Sequence, residues 1–284
     1  MNSQRDVIYT KRRHALFGER LAIDIANTMF DVTQVVVSDY QEVKDYEGFV
    51  VELIRIFSIE SPVTEEEFFK LKADEITERV FRSVEQAYKH KNEAVAAQAF
   101  PVIKNIYEGQ YNKFENIVIP FTDGIKTLQV LANMKSAYDT GGKSVPVEFE
   151  KGVMLAMIDD AWKEHLREMD ELKTSVQNAV YEQKDPLLIY KFESFNLFNQ
   201  MHTRTNKEII AFLAKGTLPG ADGQAQQMKQ SAGPQKNDLS KLKTQRTDVQ
   251  QKQQYHNPSE QPKQMPVKAE VKVGASILVE SKES

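Results

Sequence analysis

Several groups of residues have types and spacings that could do chemistry. Gly142-Lys143-Ser144 ends like a phosphate-binding loop, in which backbone N–H groups cradle phosphates and the lysine reaches them. That motif needs a glycine five residues before Gly142, where Ala137 stands, and Pro146 follows too soon for the helix the motif should open. The run reads as a surface loop. His165, with Glu164, Glu168 and Asp170 near it, has metal-ligand types. A second histidine on that helix is missing and the spacing is not HExxH, so packing or surface hydrogen bonding is the better reading. His14, His90, His202 and His256 are scattered and form no constellation. Asp159 and Asp160 leave a helix in adjacent directions, so their carboxylates do not converge as a general acid and base would. Lys11-Arg12-Arg13-His14 could touch nucleic acid or acidic lipid, but on an amphipathic helix it reads as a solvated or acid-paired face. No nucleophile-and-base pair can be named.

Tyr181 is different. It falls in the short connection between two long helical patterns, where an aromatic ring with one hydroxyl can meet an extended peptide or a partner in a sequence-tolerant way. A ring folded back onto the helices is the competing reading, and spacing alone favours that one.

The elements that would position these residues are mostly helical. Met1 to about Val37 reads as one long helix, with Val7, Ala15, Leu21, Ile25, Met29, Val32 and Val36 near helical spacing and a single Gly18. A helix that opens without a capping signal suggests that its beginning lies further upstream. Thr64 with Glu67 forms a capping box, and Val63 with Phe68 a hydrophobic staple, so a helix starts there. It should run through Leu71, Ile76, Val80, Val84 and Ala87 to a break at Phe100-Pro101, with a shorter helix after it. Ile117-Val118-Ile119 and Leu128-Gln129-Val130 flank Asp123-Gly124, the signature of a tight β-hairpin. From Phe149 a second strong helical period takes in Met154, Ile158, Ala161, His165, Met169, Leu172 and Val176. Asp185-Pro186 then opens another helix, as an N-cap acid with proline at the first helical position. Its apolar stripe is predicted through Leu188, Phe192, Phe195 and Phe198, resuming at Ile209, Phe212 and Leu213. Two such helices joined by so short a segment should lie antiparallel along these stripes.

Composition narrows the function classes. The 284 residues contain no cysteine, so disulfides, thiolate zinc sites and cysteine nucleophiles are excluded. The N-terminus lacks the apolar segment of a signal peptide, and no run of about eighteen apolar residues marks a bilayer span. The net charge of −4 is uneven: residues 1–215 carry 27 basic against 34 acidic side chains, and residues 216–284 ten against seven. An acidic body is a poor nucleic-acid binder. Beyond Leu218 the chain holds five of the ten prolines, twelve glutamines and one aromatic, Tyr255. That composition predicts a disordered tail.

The strings Phe149-Glu150-Lys151-Gly152-Val153-Met154-Leu155, Trp162-Lys163-Glu164-His165-Leu166, Met169-Asp170-Glu171-Leu172 and Tyr181-Glu182-Gln183-Lys184-Asp185-Pro186-Leu187, with Tyr190 to Phe195, resemble the two-helix finger of the SecA family. The opening Asn2-Ser3-Gln4-Arg5 with Ile8-Tyr9 is similar to that family's long scaffold helix. The resemblance covers roughly residues 1–216. It implies a mainly α fold: a long scaffold helix (1–39), an inserted, mostly helical wing with a small β-hairpin (40–148), an antiparallel two-helix finger (149–216) and a C-terminal linker (217–284). It also implies that Tyr181, with Gln183, Lys184 and Asp185 shaping its loop, contacts the preprotein and the SecY-type membrane channel.

The family couples ATP hydrolysis, with magnesium, to preprotein movement at the inner face of the cell membrane, where acidic phospholipid is a possible further partner. The motor lobes and the preprotein crosslinking domain have no counterpart in this segment, so no cofactor and no ATP turnover are expected of it alone. Two departures stand out. Ala179-Val180 occupy the place of the Arg-Gly pair common before the finger tyrosine. Val271-Lys272-Val273-Gly274 leads into Ala275-Ser276-Ile277-Leu278-Val279 rather than a cysteine-rich zinc motif. The alternative is a free-standing helical adaptor without catalysis.

Overall fold

The computed structural model describes residues 2–109, 115–176 and 185–219. Among them are eight helices and one two-stranded sheet, in the order α1 (Asn2–Phe17), α2 (Leu21–Val43), α3 (Tyr46–Phe57), α4 (Glu65–Lys70), α5 (Ala73–Glu108), β1 (Asn116–Thr122), β2 (Thr127–Asn133), α6 (Met134–Asp139), α7 (Ser144–Val176) and α8 (Pro186–Lys215). The mainly helical expectation holds. The tail from residue 220 onward lies outside the described residues, as do Tyr181, Gln183 and Lys184.

The opening helix is interrupted. Gly18 takes φ +73° and Arg20 φ +60°, a left-handed step that ends α1 and restarts the chain as α2. The two halves then present different faces: α1 buries Ile8 and Ala15, whereas α2 buries Leu21, Ile25, Met29, Val32, Val36 and Val37. By length and composition α2 is apolar enough to cross a bilayer, although Asp24 and Asp31 interrupt its apolar residues, so no unbroken apolar run of about eighteen exists there. Its apolar face is instead spent on packing against α3, α5 and α8.

The capping box at Thr64 and Glu67 is present, but α4 stops after one and a half turns. The amide of Gln41 on α2 donates to the carbonyls of Phe68 and Leu71. A side chain from a distant helix therefore satisfies two of the carbonyls at that end. The predicted break at Pro101 does not occur. Pro101 lies within α5, flanked by fully buried Ala99 and Ile103, whose packing offsets the hydrogen bond that proline removes. Helices α3 and α6 were not anticipated. α3 is capped by Asp45, which accepts from the Gly48 N–H, and packs Phe49 against Phe68 at 4.8 Å.

The hairpin pairs Thr122 with Thr127 and Asn116 with Asn133. Its connection has four residues rather than two. The Asp123 carboxylate accepts from the N–H groups of Ile125 and Lys126, and Gly124 takes φ +89°, an Asx-type turn. After α8 the chain returns to this sheet, where Thr217 exchanges both backbone hydrogen bonds with Thr122.

α7 and α8 form the predicted antiparallel pair. Phe149 meets Phe212 at 6.0 Å and His165 meets Phe198 at 5.7 Å, so partners climb one helix as they descend the other. α1 runs parallel to α8 beside them, with Gln4 donating to the Ser194 carbonyl and Lys11 to His202.

Candidate functional site

The antiparallel α7–α8 hairpin is built of two long helices, of 33 and 30 residues, and its chemistry differs between its two ends. At 1.5 Å per residue α7 is about 50 Å long. The base is where α7 starts and α8 ends. The open end is where α7 stops at Val176 and α8 starts at Pro186, with residues 177–184 outside the described set.

At the open end Asp185 does what its position predicts. Its carboxylate accepts from the Leu187 N–H at 2.9 Å, with Pro186 at the first helical position. Of the four finger residues named from the sequence, Asp185 alone is described; no geometry for Tyr181, Gln183 or Lys184 accompanies it.

The apolar stripe of α8 required correction. Leu188, Phe192 and Phe195 do not zip onto α7; they are 67%, 63% and 60% exposed, and Leu187 beside them is 60% exposed. The face turned inward carries Ser194, Phe198, Met201 and Thr205 instead. The spacing 188, 192, 195 is helical either way, so periodicity could not tell an outward face from an inward one. What resolves it is the mixed inner face: the Ser194 hydroxyl donates to the Lys191 carbonyl and the Thr205 hydroxyl to the Met201 carbonyl, so these buried small polar residues keep hydrogen-bond partners.

Midway along the hairpin His165 is fully buried between Trp162 and Phe198, at 5.4 and 5.7 Å. Neither ring nitrogen has a hydrogen-bond partner, and the Glu168 carboxylate is 4.0 Å from Nδ1. Burial lowers its pKa, keeping the ring neutral. Packing, one of its two predicted roles, is the one observed. No group of three or more His, Asp or Glu among the described residues gathers as a metal site.

Three of the four residues of the basic run on α1 have partners, and Arg13 is exposed. Arg12 holds Asp159 on α7 through two contacts, 2.8 and 3.2 Å. His14 meets Asp24 at 2.6 Å. Lys11 lies 2.8 Å from His202 Nε2. An ammonium only donates, so Nε2 accepts and the ring proton sits on Nδ1, facing the Asn206 amide at 3.5 Å; the amide oxygen is then the end that satisfies it. Burial, then the Lys11 charge, lowers the His202 pKa.

The Gly142-Lys143-Ser144 turn cannot cradle a phosphate. Every N–H from Thr140 to Val145 is already committed, that of Gly142 to the Ala137 carbonyl and that of Ser144 to the Thr140 hydroxyl. Pro146 does not prevent a helix there; it sits buried in the first turn of α7, a tolerated place for proline.

The SecA Wing and Scaffold domain family matches residues 1–217. A protein translocase subunit SecA of Flavobacterium psychrophilum is 52% identical over 230 residues, covering 81% of this chain and 21% of that protein. Those of Christiangramia forsetii (53% over 222 residues; 77% and 20%) and Parabacteroides distasonis (43% over 305 residues; 96% and 27%) are also similar. The chain spans about a fifth to a quarter of the length of these relatives. With a match over most of its length, the chain belongs to the SecA wing and scaffold family.

Proposed function

We propose that this chain is the scaffold, wing and finger portion of a SecA-type protein translocase, and that its α7–α8 hairpin is the arm that touches the preprotein and the SecY-type channel. In this reading residues 1–39 and 149–216 form the scaffold and finger, residues 40–148 the wing and residues 217–284 a linker. The hydrolysis of ATP with magnesium belongs to motor lobes in the rest of the protein. The assembly works in the cytoplasm against the inner face of the membrane, with acidic phospholipid as a further contact. This portion turns over no ATP alone.

The observation that carries the reading is the apolar face of Leu187, Leu188, Phe192 and Phe195, more than half exposed beside the hairpin's open end. Large apolar side chains gathered on one exposed face mark an interaction surface. They follow Tyr181, the residue that resembles the finger tyrosine, closely in the sequence, which supports reading this surface as one for a passing polypeptide or the channel mouth. An aromatic and aliphatic surface suits an unfolded chain, because it contributes apolar contact without reading a sequence. The free-standing adaptor is the weaker reading, because family membership places the chain among translocase subunits.

Replacing Leu188, Phe192 and Phe195 with serine in a complete translocase tests this. Folding is expected to be unchanged and preprotein transport to fall at least tenfold. Transport at the parent rate would overturn the assignment.

A further inference from the structure

One face of α5 grips both arms of the hairpin at its base. Tyr88, Lys91 and Asn92 stand at helical spacing on that face. The Tyr88 hydroxyl donates to Glu150 Oε1 on α7 at 2.8 Å, and the Asn92 amide reaches the same oxygen at 3.4 Å. The Lys91 ammonium donates to the Leu213 carbonyl in the last turn of α8. It also lies 4.5 Å from the centroid of the Phe149 ring on α7 and 5.7 Å from that of Tyr88.

Each contact has a physical reason. Leu213 is among the last carbonyls of α8, which find no partner within their own helix. A cation there also meets the negative end of the helix dipole. Here the capping cation comes from another helix altogether. Phe149 is fully buried, stacked 4.1 Å on Phe121 of β1, so the cation rests on a fixed aromatic face. Beside Lys91 is a cavity of about 120 Å³ lined by Met29, Phe57, Val84, Ile210 and Ala214 among others. The helices beside the grip therefore leave a gap, and the polar contacts supplement the apolar packing of Val84, Phe149 and Ile210 there.

We propose that Lys91 is a positioning residue: with Tyr88 and Asn92 it ties the two arms of the hairpin to α5 at their base, so that a displacement of α5 is transmitted to the hairpin's open end. This rests on the reading of the hairpin as the working arm. Glu150 to Lys173 spans about 35 Å, whereas neighbouring helix axes are about 8–10 Å apart. A shift of about 1 Å at the grip therefore becomes about 3–4 Å at the far end.

The chain has no cysteine, so paired spin labels can be placed at Arg82→Cys on α5 and Lys173→Cys on α7, both exposed, in the full chain. Lys91→Met is expected to move or broaden the label-to-label distance by about 3–4 Å, with helix content unchanged. Lys91→Arg, which keeps the carbonyl donor and the cation over Phe149, should restore it, and Lys89→Met on the exposed face of α5 should not alter it. A Lys91→Met distribution superimposable on the parent's overturns the proposal. Should Lys91→Met not fold, Tyr88→Phe, which removes only the hydroxyl on Glu150, is read by the same criterion. The distance measurement needs neither channel nor preprotein. An unchanged distance defeats the grip and leaves the functional reading intact. A changed distance beside failed transport contacts does the reverse.

Discussion

Arg12 on α1 holds Asp159 on α7 side-on, with Nε 2.8 Å from Oδ1 and a terminal guanidinium nitrogen 3.2 Å from Oδ2. This fork geometry ties the opening helix to the first arm of the hairpin across nearly 150 residues of sequence. The same α1 reaches the second arm through Lys11 and Gln4, so it lies as a brace along both.

Both side chains of that pair are one-third to one-half exposed, and solvent screening limits its strength. A double-mutant cycle with Arg12→Met and Asp159→Asn, followed by urea unfolding, should give a coupling of about 0.5–1 kcal/mol. A coupling of zero would remove the brace from the account.

Asp185 caps α8 through the Leu187 N–H. Asp185→Ala should cost about 1 kcal/mol, with faster amide exchange confined to the first turn of α8. Exchange rates that rise along the whole hairpin, or nowhere, would contradict a purely local cap.

His165 buries two nitrogens without partners, an expensive arrangement. His165→Leu should stabilise the chain by about 1 kcal/mol or more. Burial holds the folded-state pKa below the ordinary value of 6.5, so the unfolded chain takes up the proton first as pH falls. The wild type therefore keeps the full contribution above about pH 6.5 and loses it as the pH drops through that value towards the lowered one. The variant's advantage should accordingly be larger at pH 5 than at pH 7.5 in chemical denaturation. An advantage independent of pH would mean that the ring is not kept neutral by burial.

Lys91 acts at the opposite end of the scale. Burial lowers its pKa to about 8, against a weaker opposing pull from Glu150. Between pH 8 and about 10.4 the unfolded chain holds the proton that the folded chain has released, so stability rises with pH in that window. Between pH 7.5 and 9.5 the wild type should gain stability relative to Lys91→Met. Parallel profiles for the two proteins would show that the ammonium carries no burial cost.

Much of this was legible in the residues, because local chemistry decided it. The Thr64–Glu67 box, the Asp185-Pro186 start, the Asp123-Gly124 connection and the period from Met154 to Val176 each depend on neighbours within a few positions. What was not legible depends on distant partners. Nothing near Leu71 says that Gln41 will cap α4 there, and nothing near Pro101 says that packing at Ala99 and Ile103 will carry the helix through. The outward turn of Phe192 and Phe195 has the same origin: which face of α8 is inside is set by α1 and α7, not by its own periodicity. The Lys91 grip joins three helices and leaves no spacing signal in the sequence.

The central claim is that the open end of the α7–α8 hairpin touches the translocating chain or its channel. A photo-crosslinking amino acid placed at Tyr181 in a complete, transport-competent translocase, and irradiated with a preprotein arrested mid-transport, tests it most directly. Adducts to the preprotein or to the channel are predicted, falling away when Leu188, Phe192 and Phe195 are replaced by serine. Adducts to neither, while transport proceeds at the parent rate, would contradict the account.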